Sequence, residues 1–521
     1  MATITPPRKL PLGIQDFDKL RKEEYLYVDK TDQIYKLVTT GAAYFLSRPR
    51  RFGKSLLLST LKAYFEGKKE LFEGLAISRL ETEWLEYPVL HLSLNAEKYE
   101  TPEHLEALIE LHLTRWESLY GANPNAKTFS GRFMSVLENA YRKTGRGAVV
   151  LIDEYDKPLL QTFHDKSLQD NFRNTLMAFY TVLKDADPYL RFVFITGVTK
   201  FAQVDVSSTL NHLDDISLGL DYTDLCGMTR PEIEATFGPE LTTMGKTNGL
   251  TYDQTMEKLT RLYDGYKFFQ VQDEKVFNPF SVLKALKGRS FGNFWFATGT
   301  PSFLVDMLKR TNYDLRNLDG IQVSAASLTD YRADYSQPVP VIYQSGYLTI
   351  KGYNDEFMLY TLGYPNDEVK YGFLNFIAPF YTPIPASETP FYIGRFVEEL
   401  RAGQTEEFLT RLQAFFADFP YELNEKTERH YQVVFYLVFK LMGQFTEAEV
   451  HSSRGRADVV VKTADYIYLF EFKLDGSAEE ALAQIDDKGY PLPYRADGRK
   501  VIKVGASFSA ADHNIDCWLI K

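Results

Sequence analysis

The sequence predicts a multidomain α/β protein whose first 225 residues form a parallel sheet with helices on both faces. Short apolar runs alternate there with amphipathic stretches. Four of the apolar runs predict buried strands: Ala43–Leu46, Val89–Leu94, Ala148–Ile152 and Phe192–Thr196. Helical patterns separate them: Leu56–Phe65, His104–Trp116 and Leu168–Leu183. Because parallel strands need such crossovers, a doubly wound sheet is expected. A second α/β pattern lies near the carboxyl end, after a mainly helical region.

Length and composition exclude several classes of protein. At about 150 residues per domain, the 521 residues indicate three or four domains. The 59 Lys and Arg against 70 Asp and Glu give a net charge of −11, so any nucleic-acid contact needs a local basic patch. Two cysteines, Cys226 and Cys517, cannot form a disulfide framework. With neither a signal-peptide pattern nor a membrane span in the sequence, we expect a cytoplasmic protein without a membrane partner.

The region after residue 225 is predicted to be mainly helical. Thr229 is placed as a helix N-cap with Glu232 three residues on, which is a capping-box pattern. Gly249, Gly265 and the pair at 278–279 interrupt the helical segments that follow.

A predicted hairpin closes this region and sets the expected domain boundaries. The runs Ile342–Tyr353 and Phe357–Leu362 flank a polar turn at 354–356, which predicts a β-hairpin. Helices followed by a hairpin indicate a winged-helix-like module. We expect an α/β domain at 1–225, the helical and winged-helix-like module at 226–365, a helical linker at 366–420 and a second α/β domain at 421–521.

The run Ser-Arg-Pro-Arg-Arg-Phe-Gly-Lys-Ser at 47–55 is the candidate phosphate-binding loop. A predicted strand precedes it and a predicted helix follows it, which is the context that a P-loop requires. Backbone amides from Gly53 onward would surround phosphate oxygens at the helix N-terminus. Lys54 would reach the β- and γ-phosphates of ATP, and the Ser55 hydroxyl would ligate Mg²⁺.

The loop departs from the G-x-x-x-x-G-K-[ST] pattern at its first position, where Arg48 replaces glycine. A Cβ there restricts the backbone, so a different loop path is expected. Arg48, Arg50 and Arg51 add positive charge that would bind phosphate or stabilise charge that develops during transfer. The alternative is a chance Gly-Lys-Ser in a basic loop.

A second motif lies at the end of the third predicted strand, where an apolar run meets Asp153 and Glu154. In this Walker B pattern, Asp153 would hold Mg²⁺ through water near Ser55, and Glu154 would polarise the attacking water as a general base. The alternative is a buried strand that runs into a solvated acidic turn. The order of the two motifs favours ATP binding, while hydrolysis stays open because of Arg48.

The fourth predicted strand ends in further polar residues. Thr196 and Thr199 lie where a γ-phosphate sensor is expected in such a sheet, and Thr196 is taken as a candidate ATP contact. A strand end capped by Thr-Gly is an equal alternative. The winged-helix-like module is either a lid over the nucleotide or a DNA-binding surface, and we favour the lid.

Four segments resemble the bacterial AAA-ATPase-like family. They are Gly13-Ile-Gln-Asp-Phe17, Tyr27-Val-Asp-Lys-Thr31, the loop at 47–55 and Leu151-Ile-Asp-Glu-Tyr-Asp156. The loop resembles the family's own variant of the P-loop. The resemblance extends over nearly the whole chain and implies an ATPase-type domain followed by a C-terminal nuclease-like domain.

The last hundred residues contain a second constellation of polar residues. Asp458 belongs to one predicted strand, and Glu471 and Lys473 project from one face of the next. Two carboxylates that converge on Mg²⁺, with a lysine at the reacting water or phosphate, are what a PD-(D/E)xK nuclease core needs. Gln484 lies on the following predicted helix and completes the set. The alternative is a solvated cross-strand pair of opposite charges.

The favoured hypothesis is an ATP-controlled, Mg²⁺-dependent nuclease that cleaves nucleic acid, with DNA as the expected substrate. A local basic rim would have to supply the phosphate contacts: Arg454, Arg456, Arg495, Arg499 and Lys500. A nucleotide-dependent switch whose nuclease-like domain does not cut is the alternative from another class. Assembly into a homo-oligomer is left open by the sequence.

Overall fold

The computed structural model describes most of the chain. The described residues are 8–162, 165–200, 212–272, 274–296, 304, 307–308, 313–329, 338–381, 388–417, 428–450, 457–509, 511 and 514–521, with the side chains of 317, 326 and 428–432 excepted. They divide into two compact units. The first unit is Met1–Thr311 with Gly320–Glu368, and the second is Asn312–Asp319 with Val369–Lys521.

The first unit begins with an α/β sandwich. Its elements are α1 (Phe17–Lys22), α2 (Thr31–Thr40), β1 (Ala43–Ser47), α3 (Lys54–Phe65), β2 (Val89–Ser93), α4 (Pro102–Tyr120), α5 (Phe129–Thr144), β3 (Ala148–Asp153), α6 (Lys157–Gln161), α7 (Lys166–Asp185), β4 (Leu190–Gly197) and β5 (Asp214–Asp215). The strand order is β2-β3-β4-β1-β5, and all neighbours are parallel. The predicted parallel sheet is confirmed. Because β4 lies between β1 and β3, its carboxyl end separates the loop after β1 from the acids after β3.

A helical region and a small antiparallel sheet complete the first unit. The elements are α8 (Arg230–Asn248), α9 (Tyr252–Tyr263), α10 (Pro279–Gly288), β6 (Ile321–Ser324), α11 (Ala325–Thr329), α12 (Pro338–Gln344), β7 (Thr349–Asn354) and β8 (Leu359–Gly363). The sheet order is β6-β8-β7. Thr229 caps α8, and its capping box with Glu232 is present as predicted.

The prediction that the first strand of the hairpin begins at Ile342 is wrong. Residues 342–344 are helical, and the strand begins only at Thr349. The helix ends where the amide of Tyr347 donates to the carbonyl of Ile342, with Gly346 at a φ of +90°. Such a left-handed glycine closes a helix, and the apolar residues before it belong to the helix core.

The second unit is a mixed sheet with helices. Its elements are α13 (Asp367–Tyr381, which begins at the last two residues of the first unit), α14 (Thr389–Arg401), α15 (Thr405–Ala417), α16 (Glu428–Met442), β9 (Glu447–Val450), β10 (Val459–Lys462), β11 (Tyr466–Leu474), α17 (Ala478–Asp487), β12 (Lys500–Ser509) and β13 (Asn514–Ile520). The strand order is β13-β12-β11-β10-β9, with β11 and β12 parallel and the other neighbours antiparallel. The segment that we predicted as a helical linker packs on this sheet: Tyr468 donates to the carbonyl of Leu400, and the rings of Phe408 and Phe470 lie 5.7 Å apart.

The helices of the described residues are all too short or too polar to span a lipid bilayer.

Candidate functional site

The loop between β1 and α3 ends in a left-handed glycine at the start of the helix. Gly53 is the N-cap of α3 with a φ of +93°, a left-handed conformation that glycine adopts without strain. Lys54 follows as the first helical residue and is only 5% exposed. Its ammonium donates to the carbonyl of Arg48 at 2.8 Å and to that of Pro49 at 3.0 Å. Burial lowers the pKa of Lys54, and the nearby Glu154 and Asp153 carboxylates oppose this shift.

Asp153, the last residue of β3, is hydrogen-bonded to both helix α3 and strand β4. Its Oδ2 accepts a hydrogen bond from the Ser55 hydroxyl at 2.7 Å, and its Oδ1 accepts one from the Thr196 hydroxyl at 2.8 Å. Asp153 is 4% exposed and Thr196 is fully buried. The structure therefore brings Ser55, Asp153 and Thr196 together. Thr196 contacts the carboxylate, so its position suits orientation of Asp153 rather than a direct phosphate contact.

Glu154 is the next residue and faces the cleft. Its φ of +53° lies in the left-handed region, which is uncommon for a side chain other than glycine and typical of functional sites. Partial burial raises the pKa of Glu154, with Asp153 and Asp156 adding to the rise and Lys54 opposing it. A carboxylate whose pKa is raised toward neutrality is a stronger general base than an ordinary glutamate.

The structure contradicts the predicted phosphate contact of Arg48. Its side chain is 1% exposed and lies outside the cleft lining. The guanidinium donates to the carbonyls of Ser47, Ser217 and Tyr222 at 2.7–3.0 Å. Burial lowers the pKa of Arg48 to about 10. Arg50 and Arg51 do line the cleft and are exposed, so the positive charge available to phosphate comes from them and Lys54.

Asp156 is a residue that the sequence analysis missed. It was given no role of its own and belonged only to the alternative of a solvated acidic turn, but it is fully buried. Its carboxylate accepts hydrogen bonds from the amides of Val198 and Thr199 and from the Thr199 hydroxyl. A Cβ on Gly197 would lie 2.8 Å from Asp156 Oδ1, so this close approach requires glycine. The Asp-x-x-Asp spacing with Gly197-Val-Thr was the available signal.

A cleft of about 450 Å³ lies beside the loop and is lined by Lys54, Ser55 and Glu154, a volume that suits a small ligand such as a nucleotide. Three parts of the first unit form its walls. The N-terminal segment contributes residues 11–15 and 26–28. The loop and the start of α3 contribute residues 50–57, and Glu154 and Asp156 lie after β3. The helical module contributes Pro279, Phe280, Leu283, Trp295, Phe296 and Tyr347. The lining combines apolar side chains with charged ones, as a base and a phosphate chain would need.

A second site lies on the sheet of the second unit. Asp458 precedes β10, and its Oδ2 accepts a hydrogen bond of 2.9 Å from the amide of Phe472 on β11. Glu471 and Lys473 share one face of β11, with 3.4 Å between the ammonium and Glu471 Oε1. Gln484 on α17 bridges the two: its amide nitrogen donates to Glu471 Oε1, and its oxygen accepts from the Lys473 ammonium at 2.5 Å. All four predicted residues therefore converge.

Glu471 carries the feature that fits a cation. The residue is 2% exposed, and Oε2 is buried without a hydrogen-bond partner among the residues that the structure describes. Burial raises the pKa of Glu471, and the Asp458 carboxylate raises it further. A divalent cation would relieve both costs, since it would supply the missing partner and neutralise the paired carboxylates. Within the described ranges, no three His, Cys, Asp or Glu side chains gather as a metal-binding group.

The predicted basic rim is only partly described. Arg454 and Arg456 lie outside the described residues. Arg499 pairs with Asp497 through two hydrogen bonds of 2.8 and 2.6 Å, which offsets its charge. Arg495 and Lys500 are exposed on this unit.

Fold and sites together define a P-loop ATPase-type domain joined to a nuclease-superfamily domain, and comparisons with known proteins agree. A family model described as "Predicted AAA-ATPase" matches residues 11–207, and one described as "PD-(D/E)XK nuclease superfamily" matches residues 426–518. The chain is also 36% identical to "Uncharacterized protein in vnfD 5'region" of Azotobacter chroococcum mcd 1, over 524 residues that cover 99% of each chain. The chain belongs to this AAA-ATPase-like family, which confirms the resemblance found in the sequence.

Proposed function

We propose that this protein binds and hydrolyses ATP with Mg²⁺ and uses the nucleotide state to control cleavage of nucleic-acid phosphodiesters, with DNA as the substrate. We retain the expected domain boundaries and a cytoplasmic location as parts of this proposal.

The nucleotide half of the proposal rests on the cleft of the first unit. Lys54 would exchange two loop carbonyls for the β- and γ-phosphates, and Arg50 and Arg51 would add charge at the same end. Ser55 and Asp153 would hold Mg²⁺, which neutralises phosphate charge when bound. Glu154 accepts the proton of the attacking water, while Thr196 keeps the Asp153 carboxylate in place.

The nuclease half rests on the partnerless oxygen of Glu471, and this one observation supports cleavage most directly. A buried carboxylate oxygen costs free energy unless a partner satisfies it. Asp458 and Glu471 would hold Mg²⁺, which lowers the pKa of bound water when present. Lys473 orients the water or offsets charge on the phosphate. Gln484 holds the side chains of Lys473 and Glu471 in place through a hydrogen bond to each.

Purified full-length protein tests both halves in one experiment. The protein is incubated with plasmid and single-stranded DNA, with Mg²⁺ and with or without ATP, while phosphate release and a fluorescent ATP analogue report on the nucleotide site. Lys54→Ala should lose nucleotide affinity. Lys62→Ala is the matched control, because Lys62 lies on the same helix with 42% of its side chain exposed. ATP binding without any cleavage would favour the nucleotide-dependent switch.

A further inference from the structure

Arg48, which replaces the first glycine of the P-loop pattern, packs against the helical module of the first unit. Each residue of the run Arg48–Phe52 contacts the helical module of the first unit, which comprises residues 226–311 and 320–365. We propose that four aromatic residues of this module, Tyr266, Phe268, Phe280 and Trp295, act as positioning residues that hold the phosphate-binding loop in its ligand-binding conformation. We call them the aromatic cradle. This inference rests on the proposed nucleotide function and deepens it.

Arg48 and Phe52 are the two buried anchors of the loop. The Arg48 guanidinium lies 3.9 Å from the ring centre of Phe268. Phe52 is 1% exposed and packs edge-on against Tyr266 at 4.8 Å and Phe268 at 5.8 Å. A desolvated cation over an aromatic face is attracted electrostatically by the ring, and edge-on ring pairs add stabilisation beyond the burial of apolar area. One ring, that of Phe268, therefore anchors both ends of the run.

The residues between the anchors are held as well. The Trp295 indole nitrogen donates to the carbonyl of Arg50 at 3.2 Å, and the Arg51 guanidinium lies 4.7 Å from the ring centre of Phe280. Pro49 lies against Gly346, where an added Cβ would be 2.6 Å from the proline ring. Arg51 also keeps a φ of +70°, a conformation that needs support from its surroundings.

These contacts explain how the loop tolerates a side chain where the consensus has glycine. In the consensus pattern, glycine lets the backbone approach the phosphates closely. Here the Arg48 side chain leaves the cleft altogether, and its packing on Phe268 fixes where the loop begins. The carbonyls of Arg48 and Pro49 then receive the Lys54 ammonium. A change in the module should therefore alter nucleotide affinity although the cradle lies outside the P-loop motif.

The experiment measures the Kd of full-length protein for a fluorescent ATP analogue with Mg²⁺. Phe268→Leu should weaken binding about tenfold, because the ring face beneath Arg48 is lost. Phe268→Tyr keeps the ring face and should bind within about twofold of wild type. Phe357→Leu is the matched control, since Phe357 belongs to the same module and is 62% exposed.

Two further measurements separate positioning from loss of folding. At saturating ATP, Phe268→Leu should hydrolyse at nearly the wild-type kcat with a raised KM, because Glu154, Asp153 and Ser55 are untouched. Trp295→Phe removes one N–H donor, keeps an aromatic ring and should raise KM by a smaller factor. Wild-type affinity in both Phe268→Leu and Trp295→Phe overturns the inference, as does a fall in kcat at unchanged KM. Absence of nucleotide binding by the wild type instead overturns the proposed function.

Discussion

The Thr196 hydroxyl donates a 2.8 Å hydrogen bond to Asp153, while the Ser55 hydroxyl occupies the other oxygen of the same carboxylate. The strand order makes this possible, because β4 ends between the loop strand β1 and the acid-bearing strand β3. Register confirms the placement: Leu46 pairs with Thr196, and Ile152 pairs with Ile195. Asp153 is thus held from two sides, by a hydroxyl on α3 and a hydroxyl on β4.

Thr196→Val should lower kcat for ATP hydrolysis about tenfold with little change in nucleotide affinity. Valine keeps the shape of threonine but removes the buried donor, and a hydrogen bond to a carboxylate contributes about 1.5–3 kcal/mol. Steady-state hydrolysis and analogue binding measure the two effects. Thr196→Ser retains the hydroxyl and serves as the control. An unchanged kcat in Thr196→Val would show that Asp153 needs no support from β4.

The stability of the first unit should fall with rising pH because of Glu368. Burial raises the pKa of Glu368 to about 7, although the amides of Trp295 and Phe294 and the Ser281 hydroxyl favour the charged form. A raised pKa means that the neutral acid stabilises the folded state. Its contribution is complete below the ordinary pKa of 4.5 and is lost as pH rises through about 7.

Glu368→Gln should remove this pH dependence. We expect the free energy of unfolding of the wild type to drop, relative to the variant, by about 2–3 kcal/mol between about pH 5 and about pH 8. Urea unfolding at a series of pH values measures it. Glu356→Gln, in the exposed turn of the hairpin, is the control and should follow the wild-type profile. Parallel profiles for wild type and Glu368→Gln would contradict the buried-acid assignment.

At the nuclease site, Asp458→Ala and Glu471→Ala should each reduce Mg²⁺-dependent cleavage by about 100-fold or more, since loss of even an outer-shell partner of a metal costs about 10–100-fold. ATP hydrolysis should be unaffected. Asp465→Ala removes an exposed carboxylate from the turn between β10 and β11 and should cleave normally. Equal rates in Asp458→Ala and wild type would assign the cleavage to another site or a contaminant.

Lys473→Ala should separate chemistry from metal binding at the same site. The Lys473 ammonium contacts Glu471 and Gln484 and is not itself a metal ligand. Cleavage should therefore fall sharply while metal affinity stays within a few-fold of wild type. Calorimetric titration with Mn²⁺ and a cleavage assay give the two numbers. A large loss of metal affinity would show that the ammonium is needed to hold the carboxylates in place.

The sequence predicts local arrangements in this chain well and long-range packing poorly. Gly53, Lys54 and Asp153 follow from strand and helix patterns a few residues long, and so does the pairing of Glu471 with Lys473. The burial of Arg48 depends on carbonyls at 217 and 222 and on the ring of Phe268, all more than 160 residues away. Asp156 likewise acquires its partners only when β4 lies beside β3.

The dependence of cleavage on ATP in the hydrolysis-deficient variant Glu154→Gln tests the central claim most directly. Glutamine cannot accept the proton of the attacking water, so the variant should bind ATP and remain in the bound state. We predict that its rate of Mg²⁺-dependent DNA cleavage differs from the wild-type rate when ATP is present and equals it when ATP is absent, with Asp458 and Glu471 intact. Equal cleavage by wild type and Glu154→Gln at every ATP concentration would contradict nucleotide control and leave two independent activities.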